Sequence, residues 1–183
     1  MGGFRKMTLT DIANIALEDI GAKTINSIDA DDVNARKIKR RLSFVVKSVA
    51  KKRNWVYLRR RIKLTLCEED NCRYKYHTPN GLVNIISATG DWERQGKYIV
   101  SPDANLEIKC TVITLEPNDW GVNLQNAIIA ELKKQMAFTL TGDANLANQA
   151  YQMAERTIRE VSMLDALDEK NKKEASASWF NGF

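Results

Sequence analysis

This chain of 183 residues has one histidine and three cysteines, and it lacks the short motifs that announce catalysis. No GxSxG, HExxH, GxxxxGK[ST] or GxGxxG occurs, which removes the common signatures for serine hydrolysis, zinc proteolysis and nucleotide binding. The lone histidine, His77, stands beside a predicted turn. An odd number of cysteines without a CxxC pair (Cys67, Cys72 and Cys110) points to reduced thiols and cytoplasmic synthesis rather than a disulfide framework. Cys67, Cys72, His77 and Cys110 have metal-ligand chemistry, but their spacing forms no knuckle and Cys110 falls inside a strand pattern, so neither metal nor cofactor is expected. The carboxylates Glu68, Glu69 and Asp70 cluster in a predicted solvated turn. Acid–base work needs burial or opposed environments, and no carboxylate pair there or at Asp91 has them, so the expectation is a protein that is not an enzyme. No run of 18 apolar residues exists, so no transmembrane helix is expected. The start, MGGFRKMTLTDIANIAL, has no proper apolar core for a signal peptide.

Acidic residues are missing from one long stretch. Residues 36–63 read RKIKRRLSFVVKSVAKKRNWVYLRRRIK, with thirteen Lys and Arg and no Asp or Glu. The net charge of +5 therefore hides an asymmetry: +13 between Val33 and Lys63, and −8 over the rest. Such a split suggests a polar assembly with a cationic and an anionic end. Otherwise composition is ordinary for a folded protein, with 44% hydrophobic and 28% charged residues, and the length suits one domain, or one with a sizeable sub-domain.

Periodicity divides the chain. Leu9, Ile12, Ala13, Ala16 and Ile20 repeat at helical spacing, so a first helix is predicted over 9–20, capped by Thr8 or Thr10 and stopped at Gly21. A second helix is predicted over 31–54, capped by Asp29 or Asp31. At about 1.5 Å per residue it is about 35 Å long. Ile38, Leu42, Val45, Val46 and Val49 share one face; Arg36, Lys37, Arg40, Lys47 and Lys51 share the other. Phe44 breaks the pattern and projects from the basic face.

After Trp55 the period changes to two. Val56, Leu58, Ile62, Leu64 and Leu66 alternate with polar residues, and turn signals follow at EEDN (68–71), TPNG (78–81), ATGD (88–91) and RQG (94–96). Together with RYKYH, LVNIIS, KYIVS and NLEIKCTVITL, this predicts a small antiparallel β unit of five or six strands over 56–116. Helix returns after Pro117. Trp120, Leu124, Ala127, Ile128, Leu132 and Met136 make one stripe; Thr141, Gly142 and Asp143 make a stop and a cap. Ala147, Ala150, Tyr151, Ala154, Ile158, Val161 and Leu164 make a second stripe, which predicts a helical hairpin. The expected class is α+β: a helical bundle of about four helices from 1–55 and 117–170, an inserted antiparallel β unit, and an extended C-terminal arm over 171–183. The arm ends in Trp179, Phe180 and Phe183, which are costly to leave in water and are expected to dock on another subunit or partner.

Charge alone makes nucleic acid a candidate ligand. Nine cations on the second helix, and Arg59, Arg60 and Arg61 after it, can neutralise phosphates, with those three arginines as possible DNA-facing groups. No base-reading Asn or Gln lines the helix, so such a protein would bind DNA in the cytoplasm without sequence preference.

The order of elements, with Ala16, Leu17, Ile20, Gly21, Ile25, Ser27, Ala35, Arg36 and Trp55 in its first third, resembles the head-to-tail adaptors of short-tailed bacteriophages, the tail tubular protein A family. The motif covers residues 9–60; beyond it only element order agrees. The resemblance implies a virion protein of the neck that forms a ring of twelve copies between the portal protein and the tail nozzle, with genomic DNA ejected through its channel and no membrane partner. It implies no catalysis. In such a ring Arg36, Arg40, Phe44, Lys47 and Lys51, with Trp179, Phe180 and Phe183, are expected at interfaces with the portal or a neighbouring subunit. Arg59, Arg60 and Arg61 are the expected channel-facing or DNA-facing residues.

Overall fold

The computed structural model describes residues 6–70 and 73–180, with side chains over 6–69 and 73–169. The fold is α+β with a C-terminal helical hairpin. The chain divides into a helical unit, whose two segments flank Leu58–Thr114, and a β unit made of Leu58–Thr114.

Helix α1 spans Leu9–Asp19. Thr8 caps it: its hydroxyl accepts from the Asp11 amide at 3.1 Å and the Asp11 carboxylate accepts from the Thr8 amide at 2.8 Å, a capping box. Gly21 follows the stop at φ 68°, a left-handed conformation that glycine adopts without steric cost. The connection to the next helix is pinned rather than loose. The Asn14 side-chain amide donates to Ile25 O and its carbonyl accepts from Ile25 N, both at 2.9 Å, and Thr10 Oγ1 accepts from Ile28 N at 3.1 Å. Helix α2 spans Val33–Lys52. Its cap is Asp32, which accepts from the Ala35 amide at 2.9 Å, not Asp29 or Asp31. Those two carboxylates face cations of the first turns instead.

Helix α3 spans Val122–Thr141 and α4 spans Ala144–Phe180. α3 packs against α1, α2 and α4, which explains its broad apolar surface: Leu124, Ala127, Ile128, Ala130, Leu132, Met136 and Ala137 are all buried. Trp120 is buried just before this helix rather than within it. Gly142 turns the hairpin at φ 71°, and Asp143 then accepts from the Asn145 and Leu146 amides at 2.8 and 3.1 Å. On α4 the buried stripe is Ala150, Ala154, Ile158, Val161 and Asp165. Tyr151 and Leu164, expected in that stripe, are 53% and 52% exposed. Spacing explains the error: Asp165 continues the 150–154–158–161 repeat and Leu164 lies a quarter-turn away. Where an extended arm is expected from residue 171, the backbone continues as helix to Phe180. Its Glu, Lys, Asn, Ala and Ser residues include no Gly or Pro to break the ladder. The side chains of Trp179 and Phe180, and Phe183 entirely, lie outside the described residues.

Among the described residues the β unit holds seven strands rather than the expected five or six. β1 is Arg59–Lys63, β2 Leu66–Asp70, β3 Arg73–His77, β4 Leu82–Ala88, β5 Glu93–Gln95, β6 Tyr98–Ser101 and β7 Glu107–Val112. They form two antiparallel sheets, ordered β1-β7-β4 and β2-β3-β6-β5. Residues 56–58, expected to begin the strand pattern, form a 3-10 turn. Glu68–Asp70, and Arg94 and Gln95 of Glu93–Gln95, expected as turns, are strand. Both are edge strands, and Leu66–Glu69 and Glu93–Gln95 are exposed throughout, so period-two alternation is absent and composition misleads. Leu64, Tyr76, Ile99, Leu106, Ile108 and Cys110 form the core of this unit.

One buried charge cluster ties three helices together. Glu131 on α3 is only 4% exposed. Its carboxylate accepts from Lys52 Nζ of α2 at 3.2 Å, Lys134 Nζ at 3.4 Å and Gln135 Nε2 at 3.1 Å, and Lys134 also reaches Glu155 of α4 at 2.8 Å. Burial pushes the Glu131 carboxyl up, but the Gln135 hydrogen bond and the two lysines outweigh it and leave it below the usual carboxylate range. A depressed carboxyl contributes stability above the ordinary carboxylate pKa and loses it as pH falls through its own value. Glu131→Gln is therefore expected to lower stability at pH 7 by about 2 kcal/mol, because the lysines lose their buried counter-charge. The gap between variant and wild type in urea unfolding should close as pH falls below about 4.

A candidate assembly surface on the second helix

α2 has one face committed to the core and one to water. Ala35, Ile38, Leu42, Val45, Val46, Val49 and Ala50 are buried. The opposite face runs Val33, Arg36, Arg40, Phe44, Lys47, Lys51, all exposed. Steps of three and four residues keep these side chains in one row, about 27 Å long at about 1.5 Å per residue. Phe44, 59% exposed, sits at its middle, and Val33, 57% exposed, at one end. The result is a straight cationic ridge with an aromatic centre.

The cations of α2 and its C-cap fall into three groups. At the N-terminal end Lys39 reaches Asp29 at 2.6 Å and Arg36 reaches Asp31 at 3.6 Å, both in solvent; such pairs contribute little. Lys37 donates to Thr139 O near the end of α3, at 3.3 Å. At the C-terminal end Lys52 joins the Glu131 cluster. Arg53 Nε donates to Asp165 Oδ2 at 2.8 Å, and the same carboxylate, only 1% exposed, accepts from the Val56 amide at 3.3 Å. Lys52 and Arg53 thus fasten α2 to α3 and α4. Between these ends stand Arg40, Arg41, Lys47 and Lys51. All four are exposed, and none has an ion-pair partner among the described residues.

The expected interface residues Arg36, Arg40, Phe44, Lys47 and Lys51 therefore do share one surface. Arg41 flanks it and was missed, because it lies about 100° round the helix from Arg40. The buried anchors Glu131 and Asp165 were missed as well. Glu131 is the one acidic residue in the α3 sequence, standing within an apolar stripe, and that was its available signal. Arg59, Arg60 and Arg61 lie on β1, in the other unit, with Arg60 and Arg61 exposed and Arg59 half-buried.

Groups with chemical potential are dispersed. Cys67 is exposed and Cys110 buried, while Cys72 lies outside the described residues. Burial pushes the Cys110 thiol up, away from the reactive thiolate. Among the described residues no group of three or more His, Cys, Asp and Glu is placed to hold a metal ion, and no helix is long and apolar enough to cross a membrane. Glu68 pairs with Lys75 at 2.9 Å in solvent, and Glu69 and Asp91 are exposed. Comparison with protein-family models and with curated protein sequences finds no match to the chain.

The division of the cations makes a sharp contrast between neighbours. Lys52→Ala is expected to cost about 1 kcal/mol in chemical denaturation, and Lys51→Ala less than about 0.5 kcal/mol, the range of an isolated surface change.

Proposed function

We propose that this protein is a structural, non-catalytic adaptor of a short-tailed phage, which forms a ring between portal and tail nozzle and docks through the outer face of α2. The observation that carries the reading is the row of Arg40, Arg41, Lys47 and Lys51, without ion-pair partners among the described residues, around an exposed Phe44. An aromatic anchor ringed by arginine and lysine is the composition of a protein-binding patch, where aromatic residues and Arg concentrate. Its chemistry calls for an acidic partner surface, on the portal or on the next subunit.

Several features support this reading over catalysis or simple DNA binding. The resemblance to the adaptors rests on residues that build the helical unit: Ala16, Leu17, Ile20, Ile25, Ala35 and Trp55 are all buried. A row of exposed side chains along one helix suits a partner surface rather than a substrate. A cationic channel wall would grip phosphates, each contact adding salt-sensitive affinity, whereas a conduit must release its cargo. Most of the α2 charge is therefore assigned to protein, and the genome passes through the channel without being held. The protein belongs, on this reading, in the virion neck.

The second reading, a cytoplasmic protein that binds DNA without sequence preference, draws on the same four cations. The two separate in one experiment. Arg40→Glu with Lys47→Glu, and separately Phe44→Ala, are compared with wild type for binding to a purified portal ring and to a 30-base-pair duplex. The adaptor reading expects Phe44→Ala to weaken portal binding about tenfold or more, as an interface anchor does. Duplex binding that is tight, falls steeply with salt and is lost in the double charge reversal, with no portal binding at all, would establish the DNA reading instead.

A further inference from the structure

Two strands of the β unit carry opposite charge along edges that no strand among the described residues covers. β1 ends one sheet and β2 ends the other. β1 reads Arg59-Arg60-Arg61-Ile62-Lys63, and β2 reads Leu66-Cys67-Glu68-Glu69-Asp70. The two are consecutive in the chain, and the pairing side switches between them. The Leu64 amide donates to Leu106 O at 2.9 Å, continuing the ladder with β7, whereas Thr65 O accepts from the His77 amide at 3.2 Å, beginning the ladder with β3. Neighbouring residues of an extended strand aim their main-chain groups to opposite sides. Arg60 and Ile62, opposite Cys110 and Ile108, therefore turn toward β7 in phase with Leu64, and Arg61 and Lys63 turn away. On β2, Glu68 and Asp70 stand opposite Lys75 and Arg73, in phase with His77, so Glu69 turns away from β3.

Each edge thus offers main-chain donors and acceptors, the template on which another strand can add, although on β1 the Arg59 carbonyl already accepts from the Arg60 guanidinium at 3.0 Å. The side chains decide which strand. Arg61, Lys63 and Glu69 are exposed and have no ion-pair partner among the described residues. A basic edge repels a second basic edge, and an acidic edge repels a second acidic one, so a two-fold contact of either edge with itself is disfavoured. The attractive pairing is basic with acidic, which is head-to-tail and builds rings or filaments. We infer that β1 of one copy pairs with β2 of the next, joining the sheets of neighbouring subunits. Beside Lys63 a notch of about 390 Å³, lined by Ile62, Thr65, His77, Thr78 and Asn80 among others, leaves room at the end of β1 for the incoming strand. The Thr78 hydroxyl there is buried without a hydrogen-bond partner.

This contact rests on the assembly reading for the presence of neighbouring copies, and it assigns to the β unit the subunit-to-subunit part of that assembly. It leaves the α2 ridge to the portal.

The test uses the full chain, with and without portal rings. In a Cys72→Ser background, cysteine is placed in turn at Arg60, Arg61 and Lys63, and the native Cys67 of β2 serves as the other half of the bridge. Mild oxidation of the assembled protein is expected to give a covalent ladder that closes at one ring size and disappears when Cys67 is also replaced by Ser. Separately, Arg61→Glu and Glu69→Arg are each expected to raise the concentration for half-assembly about tenfold, and an equal mixture of the two variants to assemble nearly as wild type does. Rings that assemble normally but give no ladder, or that ignore both charge reversals, overturn the strand-edge contact while leaving the adaptor reading intact. A wild type that stays monomeric under all these conditions overturns both.

Discussion

Glu131 lies on α3, the helix that packs against α1, α2 and α4, and a carboxylate buried there must find its charge partners inside the protein. Lys134, three residues on, supplies one, and Lys52 of α2 supplies the other. Lys134 also carries the link outward to Glu155 of α4 and lies 4.7 Å from the ring of Tyr151. Asp165 repeats the logic nearly three turns beyond Glu155 on α4: buried there, it holds Arg53 and the Val56 amide. These two carboxylates hold the C-terminal end of α2 against α3 and α4. Trp55, wholly buried with its indole N–H donating to Val49 O at 3.0 Å, completes the anchor.

That constraint sorts the positive charge. Thirteen cations in 28 residues look like one feature in the sequence. In the fold they are several. Lys52 and Arg53 are structural, Arg36 and Lys39 face loop carboxylates, and Arg40, Arg41, Lys47 and Lys51 surround Phe44 with no ion-pair partner among the described residues. Arg61 and Lys63 belong to a sheet edge in the other unit. The acidic remainder of the chain is likewise distributed, and Glu68, Glu69 and Asp70 of β2 carry part of it.

The helices were legible because their signals are local. Thr8, Asp143 and Gly142 act as caps and stop, as their residue types demand, and the α2 apolar face is buried where 3.6-residue periodicity places it. Asp29 and Asp31 were poor guides because three acids precede α2 and only the geometry picks Asp32. Strand count failed at the edges, where Glu68–Asp70 and Glu93–Gln95 have no inner face to impose alternation. The basic ridge could be read from spacing, but its division into paired and unpaired cations could not. The partners Glu131, Glu155 and Asp165 lie 79 to 112 residues away from Lys52 and Arg53 in the chain. The residues behind the family resemblance are mostly core residues, with Gly21 a turn at positive φ, so they speak to the fold of the first third; function has to be sought on the surface.

The central claim is that the outer face of α2 meets protein rather than phosphate. The most direct measurement is the native mass of the purified protein in solution, alone and with portal rings, at low and moderate salt. A ring of defined mass, or a defined number of copies on the portal that persists at moderate salt, is the expected result. A monomer that ignores the portal and shifts duplex DNA, with binding that vanishes as salt rises, would contradict it and make the ridge a phosphate-binding face.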